Sequence, residues 1–438
     1  MIRIAVPYAM NGKKTAGRPW AVVLFVVLCL MLCNFGTLAE AKEAAVASVK
    51  SDDLPLTAEF EGGKLYYAGK FRVVELSGSY RQMGRQYGGL LAKEIHGMYE
   101  IVTSQYTQHG IVNPQASLTD FSARLFALYP RRFKEMAYGM AETAKIEIGK
   151  IAVVNEFFDY ILLTSSNSTL SGRCAAISVW GEYTGGAPLV MGRNFDFPSF
   201  FKEFDPYITV VVYNPADAVY PSAVITYPGQ IGSIQAFNNK GIVLENNDGS
   251  SSGDPNRYFG ERIPNGISDL EIVLNHGAVS EVETALATRR LQYPLLFQVA
   301  DSEQAYVYEI STDNVIKRTS GVGGLLISVN HFLSPQWSGA IKGKLDLPDR
   351  IADSEERQRN LTVLAETHKG SITSKIMMQI LDIPVQQGGA TPEDRSIYQY
   401  VFMPHQQILW VKARGYSDWT EINLQKRFQN SPGEALLH

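Results

Sequence analysis

The 438-residue chain is 45% hydrophobic and 11% aromatic, and it is long enough for one large domain or two ordinary ones. With 40 Lys and Arg against 44 Asp and Glu it has a formal charge of −4 and no basic stripe, which excludes the electrostatic footprint of a nucleic-acid binder. Three cysteines are too few for a disulfide framework, and seven scattered histidines without a His-x-x-x-His pair suggest no metal site.

Arg3, Lys13, Lys14 and Arg18 form a basic lead, residues 21–32 are an unbroken apolar run, and Ala39-Glu40-Ala41 supplies a small-x-small pattern. These features predict a signal peptide over 1–41, cleaved after Ala41, with an uncleaved N-terminal membrane anchor as the competing reading. Either outcome places the remainder outside the cytoplasm, in a periplasmic or extracellular space. Cleavage removes Cys29 and Cys33, so Cys174 is left alone and can form no internal disulfide. A buried, inert thiol is the ordinary explanation of such a residue.

Residues 42–56 are small, polar and charged and suit a lead-in, with structure expected from about Phe60. The segment 71–78 alternates as a strand and Ser79 can cap the helix that follows. From there to Leu163 the pattern is helical, with a break at Pro130 and turns around Asn113 and Gly149. At Cys174 the texture changes to strands over 174–180, 188–195, 207–213, 221–227, 231–237 and 241–245. A helical stretch over 268–289, strands within 296–329, helices over 349–366 and 371–382, and closing strands over 398–403 and 407–413 complete an α+β pattern.

The stretch 174–197 reads as a hairpin turning near Thr184-Gly185, which places Cys174 opposite Phe195. Arg193 and Asp196 then fall beside the thiol. A guanidinium stabilises a thiolate and a carboxylate holds an ammonium, although residues three apart face opposite sides of a regular strand, so a bend at Asn194-Phe195 is expected. Phe195, Phe197, Phe200 and Phe201 can line a pocket for an apolar acyl group or serve as ordinary core. His331 beside Asn330 invites a papain-like Cys/His reading, but the Cys-Gly-x-Cys-aromatic context of that family is missing.

A strand-initial cysteine, a turn and then "GRNFD" resembles the N-terminal-nucleophile hydrolases, specifically the acyl-coenzyme A:6-aminopenicillanic acid acyltransferase family and the related choloylglycine hydrolases and penicillin V acylases. "VVELSGSYRQMGRQYGGLL", "NNKGIVLENND", "SVNHF", "SEERQRNL" and "YQYVFMPHQQILWVKAR" are similar to further motifs of that family, in order, over about residues 70–413. The resemblance implies a four-layer αββα sandwich, with two antiparallel sheets between helical layers. It implies a helical pro-region over 42–173 and a catalytic segment over 174–438 that together make one domain. It also implies cleavage before Cys174, so that thiol and free α-amine belong to one residue and act on a small-molecule acyl amide without cofactor. By the same resemblance Arg193 supports the thiolate, Asp196 orients the amine, Asn330 donates to the oxyanion, and a backbone amide of Asn246 or Asn247 is the second donor. Arg357 braces the network, with Arg350 as its stand-in. Arg173 before the bond departs from the small or acidic residue expected there, so an external trypsin-like protease is a second route to the same cut. A non-catalytic exported binding protein on the same scaffold is the reading from another class.

Overall fold

The computed structural model describes residues 54–111, 117–164, 172–217, 220–252, 254, 258, 260–321, 323–337 and 348–429, so the expected signal segment, Asn113 and the stretch 165–171 lie outside it. The described residues belong to one compact unit, Val49–His438. In chain order its elements begin with β1 (Leu56–Phe60), β2 (Gly63–Ala68) and β3 (Phe71–Gly78). Helices α1 (Tyr80–Leu90), α2 (Ala92–Gln108), α3 (Leu118–Ala127), α4 (Arg131–Ala144) and α5 (Ile148–Thr164) follow. Strands β4 (Ala175–Val179), β5 (Val190–Asp196), β6 (Thr209–Pro215), β7 (Ser222–Thr226), β8 (Gln235–Asn238) and β9 (Val243–Asp248) come next. The chain continues through α6 (Asn265–Asn275), α7 (Val279–Ala287), β10 (Leu295–Ala300), β11 (Ala305–Ile310), β12 (Val315–Arg318) and β13 (Leu325–Ser328). It closes with α8 (Pro348–Thr367), α9 (Ser374–Asp382), β14 (Ser396–Met403), β15 (Ile408–Ala413) and β16 (Ser417–Asn423).

Two sheets carry the fold. One has ten strands in the order β1-β2-β3-β6-β7-β8-β9-β10-β11-β12, the other six in the order β13-β4-β5-β14-β15-β16. Their facing sides meet in one apolar core that joins Val73, Val210 and Ile225 of the first to Met191, Tyr400 and Val411 of the second. The outer face of the ten-stranded sheet is covered by α1, α4, α6 and α7, and that of the six-stranded sheet by α8 and α9. These layers are the expected αββα sandwich. One correction concerns direction: β3 and β6 pair in parallel, because the long helical passage between them supplies the crossover that a parallel neighbour requires.

A second correction concerns the segment before Cys174, which is not purely helical. Its first three strands extend the ten-stranded sheet, and β1 and β2 meet in a two-residue turn with positive φ at both Glu61 and Gly62. The expected turn at Gly149 falls instead at left-handed Lys145, the C-cap of α4. The stretch 268–289 divides into α6 and α7, and the last element among the described residues is a third closing strand, β16.

The Gly78, Gly84 and Gly88 spacing has a physical basis. Ser79 caps α1 in a reciprocal box with Gln82, and Gly78 ahead of it has φ of +102°. Gly84 and Gly88 let α1 lie against α4 at backbone contact, since a Cβ at Gly84 would come within 1.9 Å of the Met136 carbonyl oxygen. Gly84→Ala therefore forces the two helices apart, and urea unfolding should show a loss of about 1–3 kcal/mol.

Candidate active site

Strands β4 and β5 pair with Ala175 opposite Asn194 and Val179 opposite Val190, so the register continues to Cys174 opposite Phe195 as the hairpin arithmetic requires. Cys174 is buried at the start of β4, and its Sγ lies 4.0 Å from the Asp196 carbonyl oxygen. Cys174, Phe195 and Met191 belong to the core between the sheets, whereas Ala175, Ile177 and Val190 pack outward under α8 and α9.

Arg193 projects into the inter-sheet space. Its Nη1 is 3.3 Å from Glu245 Oε2 and donates to the Ile234 carbonyl at 3.3 Å, and its Nη2 donates to the Asn246 carbonyl at 2.6 Å. Both members of the Arg193–Glu245 pair are essentially without solvent exposure. Tyr400 donates its hydroxyl to the same glutamate. Burial pushes the Cys174 thiol up, and the nearby Arg193 charge opposes that rise.

Asp196 follows the strand's alternation to the other side. No bulge interrupts β5; the irregularity lies across the pairing, at Ile397 of β14. The bend expected at Asn194-Phe195 is unnecessary, because thiol and backbone nitrogen leave Cys174 in different directions. Burial pushes the Asp196 carboxyl up to about 7, against the pull of Arg357, Ser396, Arg395 and Arg193.

Arg357, on α8, ties these parts together. Its Nη1 donates at 2.8 Å to the carbonyl oxygens of both Arg173 and Cys174, the residues flanking the peptide bond in question. Its Nη2 donates to Asn330 Oδ1 at 3.0 Å, and Asp353 bonds both its Nε and Nη2. Asn330 in turn donates Nδ2 to the Asp248 carbonyl at 2.9 Å. Arg350 pairs with the Asp248 carboxylate at 3.3 Å and so does not take Arg357's place.

Comparison with known proteins gives distant likenesses only. No protein-family model and no curated protein sequence matches the chain. Among solved structures it is similar to a *Caenorhabditis elegans* N-acylethanolamine-hydrolyzing acid amidase ortholog, at 14% identity and a TM-score of 0.40, covering 57% of this chain and 99% of that one. A conjugated bile acid hydrolase mutant from *Clostridium perfringens* is similar at 12% identity and a TM-score of 0.40, covering 59% of this chain and 93% of that one. Penicillin V acylase from *Agrobacterium tumefaciens* gives 12%, 0.39, and coverage of 58% and 87%.

Other expected residues divide. Phe195 and Phe197 line the cavity beside Cys174 together with Phe158 and Tyr398. Phe200 and Phe201 do not: Phe201 stacks in the core against Phe157 and Phe204, and Phe200 lies on the His109 ring. The Asn246 amide is already donated to the Ile234 carbonyl at 2.9 Å and is excluded as an oxyanion donor, while the Asn247 side chain holds Ser328. His331 bonds Ser354 through Nδ1 at 2.8 Å, and burial with Arg357 and Arg318 nearby pushes it down to about 4, leaving a neutral ring without a bond to the thiol. That geometry does not make a Cys/His pair.

Sequence reasoning missed Glu245, Tyr400 and Asp353. Glu245 carries a usable signal, a lone acid within the apolar start of β9, which requires a buried partner. Asp196 gives a pH test in the Cys174→Ala chain. Its folded carboxyl lies above the roughly 3.9 of an unfolded aspartate, so its stabilising contribution is complete below that value and is lost as pH rises through about 7. Adding Asp196→Asn should flatten the decline in urea stability between pH 5 and 8, by an amount on the order of 3 kcal/mol.

Proposed function

We propose that the chain is an exported precursor cut between Arg173 and Cys174, and that the new N-terminal Cys174 cleaves a non-peptide amide through a thioester. The observation that carries this reading is the placement of Arg357, whose guanidinium meets the carbonyls on both sides of that bond while the thiol of Cys174 opens onto a cavity.

In the cutting step the Cys174 thiol attacks the Arg173 carbonyl carbon, and Arg357 stabilises the negative charge that develops on its oxygen. The carbon–nitrogen bond breaks, the nitrogen takes the thiol's proton, and water then hydrolyses the thioester to release an Arg173 carboxylate. The freed α-amine has an ordinary pKa of about 7.7 to 8.0 and removes the thiol proton in each later turnover. The thiolate attacks the substrate carbonyl, the amine product leaves with that proton, and water or a second amine resolves the acyl-enzyme. Arg193 favours the thiolate. Asp196, already held by Ser396 and the charges of Arg357 and Arg395, gains a further counter-charge when the α-ammonium forms beside it. Asn330 is the oxyanion donor in this scheme, with one Nδ2 hydrogen left beyond its bond to Asp248.

Intact-mass analysis of purified protein should give two chains, one beginning at Cys174, that travel together on a sizing column. Cys174→Ala should remain a single chain, and Arg357→Gln should slow the cut about 100-fold or more, the scale of a lost oxyanion donor. Full activity with the bond intact would overturn the reading. In a chain starting at Cys174, one added residue ahead of it should lower turnover roughly 100- to 10,000-fold while leaving the thiol open to alkylation.

A further inference from the structure

The cavity beside Cys174 has two unlike walls. Phe158, Phe195, Phe197 and Tyr398 form an apolar side next to the thiol. Glu156 and Asp159, one turn apart on α5, line it as well, and each accepts one tyrosine hydroxyl: Glu156 from Tyr129, and Asp159 from Tyr293 at 2.6 Å. Among the described residues lining the cavity there is no Lys, Arg or His, and the third carboxylate, Asp248, is already paired with Arg350. Arg289, the charge that acts on Asp159 from outside, is itself bonded to Asp269 at 2.5 Å.

A polar group is also left over at this wall. The Tyr227 hydroxyl, on a residue 2% exposed, has no hydrogen-bond partner, whereas Glu156 and Asp159 hydrogen-bond to one another and Asn265 to Tyr293. A buried polar atom without a partner costs free energy that a ligand supplying the partner recovers. Burial pushes both carboxyls above the usual carboxylate range, and the Asp159 charge beside it pushes Glu156 further.

We propose that this wall recognises a positive charge, so that the cavity takes an acyl amide carrying an ammonium or guanidinium group and rejects amides bearing a carboxylate or sulfonate. Calling this ligand the substrate rests on Cys174 being the nucleophile; the charge preference of the cavity does not. The apolar wall takes the hydrocarbon part of the same molecule, and the unpaired Tyr227 hydroxyl supplies a further hydrogen bond to its polar end.

The test uses the thiol as a reporter. Mature protein is treated in parallel with aminoethyl methanethiosulfonate and sulfonatoethyl methanethiosulfonate, in which the Cys174 sulfur forms a disulfide and a sulfinate leaves. Rates at the Cys174 peptide are normalised to those with a small free thiol. The cationic reagent should react about tenfold or more faster, the scale of field focusing in a cleft of one sign, although Arg193 alone would favour the anionic one. Glu156→Gln with Asp159→Asn should bring that ratio close to one, and Asp159→Asn alone should lower it if the double variant does not fold. Equal rates, or faster reaction of the anionic reagent, in the unsubstituted protein would overturn the proposal. Undiminished amide turnover by protein fully modified at Cys174 would instead remove the nucleophile reading and leave the charge preference standing.

Discussion

A guanidinium without solvent exposure cannot lie between two sheets unless an anion shares the space, and the Arg193–Glu245 pair meets that condition where the two sheets approach the cysteine. The arginine belongs to β5 of the six-stranded sheet, and Glu245 and Asn246 belong to β9 of the ten-stranded one. The pair is thus a bolt through the sandwich as well as a source of charge. Removing one member would strand the other in the core, typically a loss of about 3–5 kcal/mol. Tyr400 and the backbone carbonyls of Ile234 and Asn246 occupy further bonding positions of the pair, which holds β5 and β9 in fixed relation beneath the thiol.

The opposite face of the β4–β5 hairpin is governed by a second arginine. Arg357 comes from the outer helix α8 and reaches the backbone of residues 173 and 174, while Asp353, four residues earlier on that helix, shares its charge and also meets Arg173 at 3.2 Å. One residue is therefore addressed from two layers: its side chain from the inter-sheet space and its backbone from the helical layer. Alternation along a strand, which looked like an obstacle to bringing Arg193 and Asp196 to one cysteine, is what allows this division.

The hairpin was readable because β4 and β5 are short, regular and joined by a glycine turn, so counting alone placed Cys174 against Phe195. The cap at Ser79 was readable for a similar reason, since its bonds lie within four residues. Features decided by distant partners were not. β1 and β2 are short and patterned weakly, and they form because β3 already offers an edge. The parallel pairing of β3 with β6 depends on where five intervening helices return the chain. Phe200 and Phe201 share their composition and neighbourhood with Phe195 and Phe197, and only the path of the 3-10 turn over Ser199–Tyr207 separates core packing from cavity wall. Glu156 and Asp159 sat in view within an apolar helix, but a helix buried nearly all round gives no sign of which neighbour its acids will meet.

The edge formed by β1, β2 and β3 has a consequence for the history of any one molecule. These strands precede Cys174, yet β3 pairs with β6 over seven residues, from Arg72 against Thr209 to Gly78 against Pro215. In the continuous chain that parallel pairing closes as an intramolecular step, at a loop-closure cost that grows only slowly with length. If the chain is broken between α5 and β4, as proposed, the same pairing joins two separate polypeptides and depends on their concentration. A nicked molecule would hold its shape for as long as it stayed folded, but it would lack the connection by which that shape was first reached. Its durability would then be a matter of unfolding rate rather than of equilibrium.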